Sequence, residues 1–309
     1  MAEVFLPSEG GETGLANVTA NGIRIEYDSF GQSTRPALVL IMGLGAQMIF
    51  WEDDFCDEIA ARGLHVIRFD NRDCGLSTHF HDRGIPDVTK AFTEAMTGQA
   101  VAAPYSLRDM AADTVGLLDA LGIDRAHVVG ASMGGMIAQM VAIEHPDRVR
   151  SLTSIMSTTG NPEVPPASPT AMAALLTPPP PERGAFLDHM VHTFRIVGSP
   201  GFDFDETSFR SRVGRAYDRS YDPGGVARQL VSVLADGNRK ERLRSVRVPT
   251  LVIHGKDDPL VPVQGGLDTA DAVAGARVLI IEGMGHDLPR GAWPRIVGAI
   301  AELATAAAS

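Results

Sequence analysis

Continuous apolar runs alternate with amphipathic stretches along most of the chain. Ala37 to Met42 (ALVLIM), His65 to Phe69 (HVIRF), Ala126 to Gly130 (AHVVG), Val149 to Met156, Thr250 to His254 (TLVIH) and Arg277 to Ile281 (RVLII) are short and rich in branched side chains. Such runs predict strands covered on both faces. Ahead of them, Asn17 to Tyr27 predicts a hairpin around Asn21-Gly22, because both turn positions need positive φ. Helices are predicted over Trp51 to Arg62, Ser106 to Leu121 and Met133 to His145. In the second, Ser106 and Asp109 have capping-box spacing, Leu107, Met110, Ala111, Thr114, Leu117, Leu118 and Leu121 form one stripe, and Gly122 supplies a left-handed stop. The third is apolar on nearly every face, which predicts burial, and Pro146 ends it.

The alternation breaks after Met156. Residues 161–181 hold eight prolines, four of them consecutive at Pro178 to Pro181, and predict neither regular helix nor central strand. Helical patterns resume over Gly184 to Val197, Ser208 to Ser220 and Gly225 to Ala235, and Pro294 to Ala307 predicts a closing helix. The expected class is α/β: a mostly parallel sheet flanked by helices. Its core would be formed by residues 1–157 and 237–309, with 158–236 inserted as a helical cap. Ligands on such sheets bind beyond the carboxyl ends of the strands.

Charge and cysteine content narrow the class. Among 309 residues the net charge is −11, with no long run of one sign, so nucleic acid is not an expected partner. Cys56 and Cys74 are too few for a disulfide scaffold and predict reduced thiols. Met1 to Pro7 has neither the basic start nor the apolar run of a secretory leader. Pro36 to Trp51, broken by Gly43, Gly45 and Gln47, is shorter than a membrane span. A cytoplasmic protein with no membrane span is expected.

The chemistry centres on Gly130-Ala131-Ser132-Met133-Gly134, a G-x-S-x-G match. It directly follows an apolar strand and directly opens a buried helix, the setting in which a sharp turn exposes the central serine. A serine at its normal pKa needs a base, and the base needs an orienting acid. Candidates follow later strands: His254-Gly255-Lys256-Asp257-Asp258-Pro259 after TLVIH, and Gly283-Met284-Gly285-His286 after RVLII.

The segments LVLIMGLGAQMIFWEDDF, GLHVIRFDNRDCGLS, VVGASMGGMIAQ, VPTLVIHGKDDPLVP and IEGMGHDLP resemble the α/β-hydrolase superfamily, and within it the serine esterase/lipase group of the aclacinomycin-methylesterase type. The resemblance implies an α/β-hydrolase fold with a helical cap and hydrolysis of small to medium, largely apolar esters through an acyl-enzyme, with no metal or organic cofactor. It implies Ser132 as nucleophile, His286 as base and Asp258 as orienting acid, since the frame counted from Gly255 favours Asp258 over Asp257. His254, ahead of the final strand, is the rival base. The oxyanion donors would be the Met133 and Leu44 amides. The superfamily's usual His-Gly pair is Met42-Gly43 here, so the brace of that loop must come from elsewhere. Alternatives sharing the triad are a polyketide methylesterase, a thioesterase and a lactone or carbon–carbon hydrolase. A non-catalytic small-ligand binding protein is the alternative of another class.

Gly43 is placed beside the substrate, and Trp51 either beside it or as the anchor of its helix. Met42, Met48, Met136 and Met140 line an acyl pocket or fill the core, while Met133, next to the serine, is placed on the pocket wall. His79-x-His81 and His189-x-x-His192 lack a full ligand set, so no metal is expected. Gly43-x-Gly45-x-x-Met48 misses the third glycine of a dinucleotide fingerprint. The arginines between Arg210 and Arg228, matched by Asp218 and Asp222, predict a solvated helix face.

Overall fold

The computed structural model describes residues 16–307. Met1 to Pro7, expected to carry no leader, lies outside the described residues. Eight strands form one sheet: β1 (Ala16–Ala20), β2 (Ile23–Phe30), β3 (Ala37–Ile41), β4 (His65–Phe69), β5 (Ala126–Ala131), β6 (Val149–Ile155), β7 (Thr250–Gly255) and β8 (Arg277–Ile281). Their order is β1-β2-β4-β3-β5-β6-β7-β8. β1 and β2 pair antiparallel, as do β2 and β4, and the remaining pairings are parallel. The hairpin turn has φ of 49° at Asn21 and 77° at Gly22, as the Asn-Gly pair predicts.

Between the strands run α1 (Asp53–Ala60), α2 (Val88–Met96), α3 (Leu107–Ala120) and α4 (Met133–Glu144). After β6 come α5 (Pro169–Leu176), α6 (Arg183–Val197), α7 (Glu206–Arg219), α8 (Pro223–Asp236) and the short α9 (Lys240–Leu243). α10 (Val263–Ala272) joins β7 to β8, and α11 (Trp293–Ala306) closes the chain. Because side chains alternate along a strand, β3 feeds two cores. Val39 and Ile41 pack with Leu117 of α3 and Ile137 of α4. Leu38 and Leu40 pack with Phe55 of α1 and Ile296 of α11. The full capping box at Ser106 and Asp109 forms as the spacing predicts.

Three elements depart from the sequence pattern. α5 lies inside the proline-rich stretch. Pro169 occupies its first turn, where a missing N–H costs nothing, and Ser168 caps it. α2 carries Val88, Ala91, Phe92, Ala95 and Met96 at helical spacing, a stripe of which only Ala91 is buried and over which no helix was predicted. α10, over which no helix was predicted, buries Gly265 and Gly266, poor helix formers, and a Cβ on Gly266 would lie 2.3 Å from His254 Nδ1.

Arg219 of α7 and Arg228 of α8 depart from the expected solvated face, while Arg210 and Arg215 of α7 keep it. Arg228, 1% exposed, grips Asp73 with two hydrogen bonds of 2.7 and 2.8 Å. Arg219 reaches Asp70 at 2.9 Å. Their partners lie some 150 residues away in sequence, beyond any local charge pattern. Arg228→Met would strand the fully buried Asp73 carboxylate. It is expected to cost roughly 3–5 kcal/mol, seen as a drop in the thermal midpoint, with Arg228→Met/Asp73→Asn recovering much of it, since Asn tolerates the positive φ of 61° there and still accepts from the Phe80 amide. A loss under about 1 kcal/mol for the single variant, the range of a surface pair, would contradict a buried tie.

Asp222 supplies a third group beside His79 and His81, which the sequence pattern did not bring together. His79 Nδ1 lies 2.7 Å and His81 Nε2 3.1 Å from Asp222 Oδ2. That same oxygen accepts from Arg228 at 3.2 Å, and Asp222 Oδ1 caps α8 through the Gly225 amide at 3.0 Å. A guanidinium and a helix N-terminus both oppose a cation there, and the trio ties α8 to the core.

Candidate active site

Ser132 sits between β5 and α4 with φ 55° and ψ −120°, outside the ordinary regions for a non-glycine residue. The glycines around it make that turn possible. A Cβ on Gly130 would lie 1.9 Å from the Gly134 carbonyl oxygen, and one on Gly134 2.0 Å from that of Ile41. The Ser132 side chain makes no helix-capping bond, although it occupies the N-cap position of α4. Its carbonyl is held by the Ser157 hydroxyl at 2.8 Å and its amide by the Ile155 carbonyl at 2.9 Å.

The turn aims the hydroxyl at His286, whose Nε2 is 2.9 Å from Ser132 Oγ. The other ring nitrogen, Nδ1, is 2.7 Å from Asp258 Oδ2. Asp258 is itself held: its Oδ1 accepts from the Leu260 and Val261 amides at 2.9 and 2.8 Å. Asp257 faces the other way and accepts from the Gly283 amide at 2.8 Å. The geometry thus separates the two adjacent carboxyls. His254 Nε2 donates to the Val261 carbonyl at 2.8 Å, and its Nδ1 is buried without a partner. Burial holds the His254 pKa below the ordinary imidazole value.

Burial also pulls the His286 pKa down, but the charge and hydrogen bond of Asp258, with the charge of Asp287, outweigh it and leave the net pKa raised. The sequence offered no reason to single out Asp287. It is half-buried next to His286 and accepts from the Ser199 hydroxyl, which in turn accepts from the Gly285 amide at 2.9 Å. Burial pushes the Asp287 carboxyl up to about 6, against the Ser199 hydrogen bond and the charge of His286. The His286 amide donates to the Val197 carbonyl at 2.7 Å, and the Gly201 amide to that of Gly283 at 2.9 Å. The loop carrying the imidazole is therefore seamed to the α6–α7 connection.

Gly43 lies against the serine: a Cβ there would be 3.1 Å from Ser132 Cβ. Leu44 follows it, half-buried. The amides of Leu44 and Met133 have no partner among the described residues. Two placements beside a substrate are overturned. Trp51 is fully buried and stacks on Phe55, with ring centroids 5.6 Å apart, so it is core and offers no surface to a ligand. The Met133 side chain is 1% exposed and fills the α3–α4 core, as do Met136 and Met140. Only its backbone remains at the site.

The chain belongs to the alpha/beta hydrolase fold family, whose model matches residues 36–289. It is 28% identical over 305 residues to the rhodomycin D methylesterase DauP of Streptomyces sp. (strain C5), covering 92% of this chain and 95% of that protein. It is 25% identical over 268 residues to 3-oxoadipate enol-lactonase 2 of Acinetobacter baylyi, covering 86% and 87%. The solved enol-lactonase of Burkholderia xenovorans LB400 superimposes with a TM-score of 0.69 at 20% identity, covering 94% of this chain and all of the other. The protein is a hydrolase by superfamily, with relatives that include methylesterases. Among the described residues no helix is long and apolar enough to cross a membrane.

Proposed function

We propose that the protein is a serine carboxylic-ester hydrolase working through an acyl-enzyme. The observation that carries this reading is the continuous chain from Ser132 Oγ through His286 to Asp258, with both bonds under 3.0 Å. His286 Nε2 takes the hydroxyl proton as Ser132 attacks the ester carbonyl. Asp258 holds Nδ1–H and stabilises the imidazolium that forms. The Leu44 and Met133 amides stabilise the oxyanion, Met133 with the added partial charge of the α4 N-terminus. His286 then protonates the departing alcohol, and a water that it deprotonates clears the acyl group. The chemistry calls for neither metal nor organic cofactor.

The helices α5 to α8 act in this reading as a cap over the serine. Leu187, Val191, Phe209 and Val213 form the cap's own apolar core, and small to medium apolar esters are the substrates expected beneath it. A methyl ester of a polycyclic acid is the second substrate reading, favoured by the match to DauP over 95% of that protein. Two free cysteines, both buried, suit a reducing compartment, and we place the protein in the cytoplasm. A panel of p-nitrophenyl esters of increasing chain length tests the activity. Turnover that favours short to medium acyl chains supports the proposal. Specific binding of apolar esters without turnover would support a binding protein instead.

The base must be neutral to act, so its raised pKa moves the acid limb upward. The limb of kcat/KM in the free enzyme is expected above the ordinary imidazole value of about 6.5. A pH–rate profile checks this, and a limb below that value would contradict the coupling of His286 to Asp258.

A further inference from the structure

We propose that Gln229, on the inserted helix α8, is a positioning residue for the oxyanion loop and takes the place of the brace that the Met42-Gly43 pair cannot supply. The inference rests on the esterase reading. Residues 43–46 form a turn closed by the Ala46 amide on the Gly43 carbonyl at 3.2 Å, with Gly45 at φ 64°. This turn has no regular ladder to hold it. On one side, Asn71 Nδ2 donates to the Met42 carbonyl at 2.9 Å. On the other, the Gly45 amide donates to Gln229 Oε1 at 2.8 Å, and Gln229 Nε2 donates to the Arg72 carbonyl at 2.7 Å. The two partners fix the amide's orientation, because one requires an acceptor and the other a donor. Gln229 is fully buried, where an unpaired amide would be costly.

The Leu44 amide lies between these two tied points. Gly45 is the most freely rotating residue of the turn, and α8 packs directly on it: a Cβ there would lie 2.8 Å from Val226 Cγ2. Releasing the Gly45 amide frees the peptide after Leu44 to rotate and lets the Leu44 N–H drift from the oxyanion position. Displacement of about 1 Å is enough to lower the rate by some two orders of magnitude. The inserted helices thus help to build the reaction centre, in addition to covering it.

The test compares Gln229→Met and Gln229→Glu with Ser232→Ala in the full chain. Ser232 lies one turn further along α8 and donates to the Tyr105 carbonyl at 2.8 Å, so its loss weakens the same helix without touching the loop. The readouts are p-nitrophenyl butyrate kinetics and inhibition by a trifluoromethyl ketone, which forms a tetrahedral adduct. For Gln229→Met, kcat is expected to fall about 10- to 100-fold with KM within about twofold, and affinity for the ketone to fall in parallel. Gln229→Glu, protonated as its burial demands, keeps an acceptor for Gly45 and a donor for the Arg72 carbonyl and should retain more activity, so it also serves if the Met variant does not fold. Ser232→Ala should keep kcat within about twofold. Unchanged kcat in Gln229→Met, or an equal loss in Ser232→Ala, overturns the proposal while leaving the esterase reading intact. Absence of turnover in the wild-type chain overturns both.

Discussion

Ser132→Ala is expected to lower kcat for ester hydrolysis by about 10⁶-fold without unfolding the protein. The size follows from the division of labour in the site. Removing the hydroxyl removes the group that forms the covalent bond, and His286 then has nothing to activate except water. What survives is the oxyanion pair and substrate binding, a residual catalysis of roughly 10³–10⁴ over water. The fold should be spared because the side chain contributes no helix cap, and the strained backbone is enforced by Gly130 and Gly134 on either side. Steady-state kinetics on a p-nitrophenyl ester, with a thermal melt of the same sample, provide the check. Activity within tenfold of wild type would remove Ser132 from the mechanism.

Asp258→Asn is expected to lower kcat by about 10⁴-fold, while Asp257→Asn changes it by no more than a few-fold. The local bonds explain why so small a change should be so costly. Oδ1 of Asp258 accepts from two backbone amides, so an asparagine must keep its carbonyl oxygen on that side. Its NH₂ is thereby forced toward His286 Nδ1, which must turn from donor to acceptor. The ring proton moves to Nε2, the nitrogen that faces Ser132, and the imidazole can no longer take the hydroxyl proton. Asp257 instead accepts from the Gly283 amide at an exposed position, and its loss leaves this chain of bonds in place. Kinetics on both variants decide the matter. Loss in Asp257→Asn with activity kept in Asp258→Asn would reverse the assignment.

The sequence discloses best what is decided locally. The strands are apolar runs, the Asn21-Gly22 turn requires positive φ at both positions, and the glycines of Gly130 to Gly134 stand where any Cβ would strike the backbone. Each can be found within a few residues. The choice between Asp257 and Asp258 needed the neighbouring frame; in the structure Asp258 bonds to His286 and Asp257 to the Gly283 amide. What stays hidden is long-range. Arg228 and Asp73 are 155 positions apart, and Gln229 and Gly45 are 184 apart. In the sequence, the arginines of α7 and α8 match local acids and pass for a solvated face. Burial misleads in the other direction for Trp51 and the Met133 side chain. Their positions beside the site suggest a pocket wall, but packing against Phe55 and against the α3–α4 core claims them first.

Covalent labelling by a fluorophosphonate, followed by mass spectrometry of the digested protein, bears most directly on whether the Ser132 hydroxyl is made reactive by His286. A single adduct on Ser132 is expected, absent from Ser132→Ala and formed more slowly below the pH at which His286 becomes protonated. Folded protein that takes up no label, or takes it up at another residue with Ser132 untouched, would contradict it.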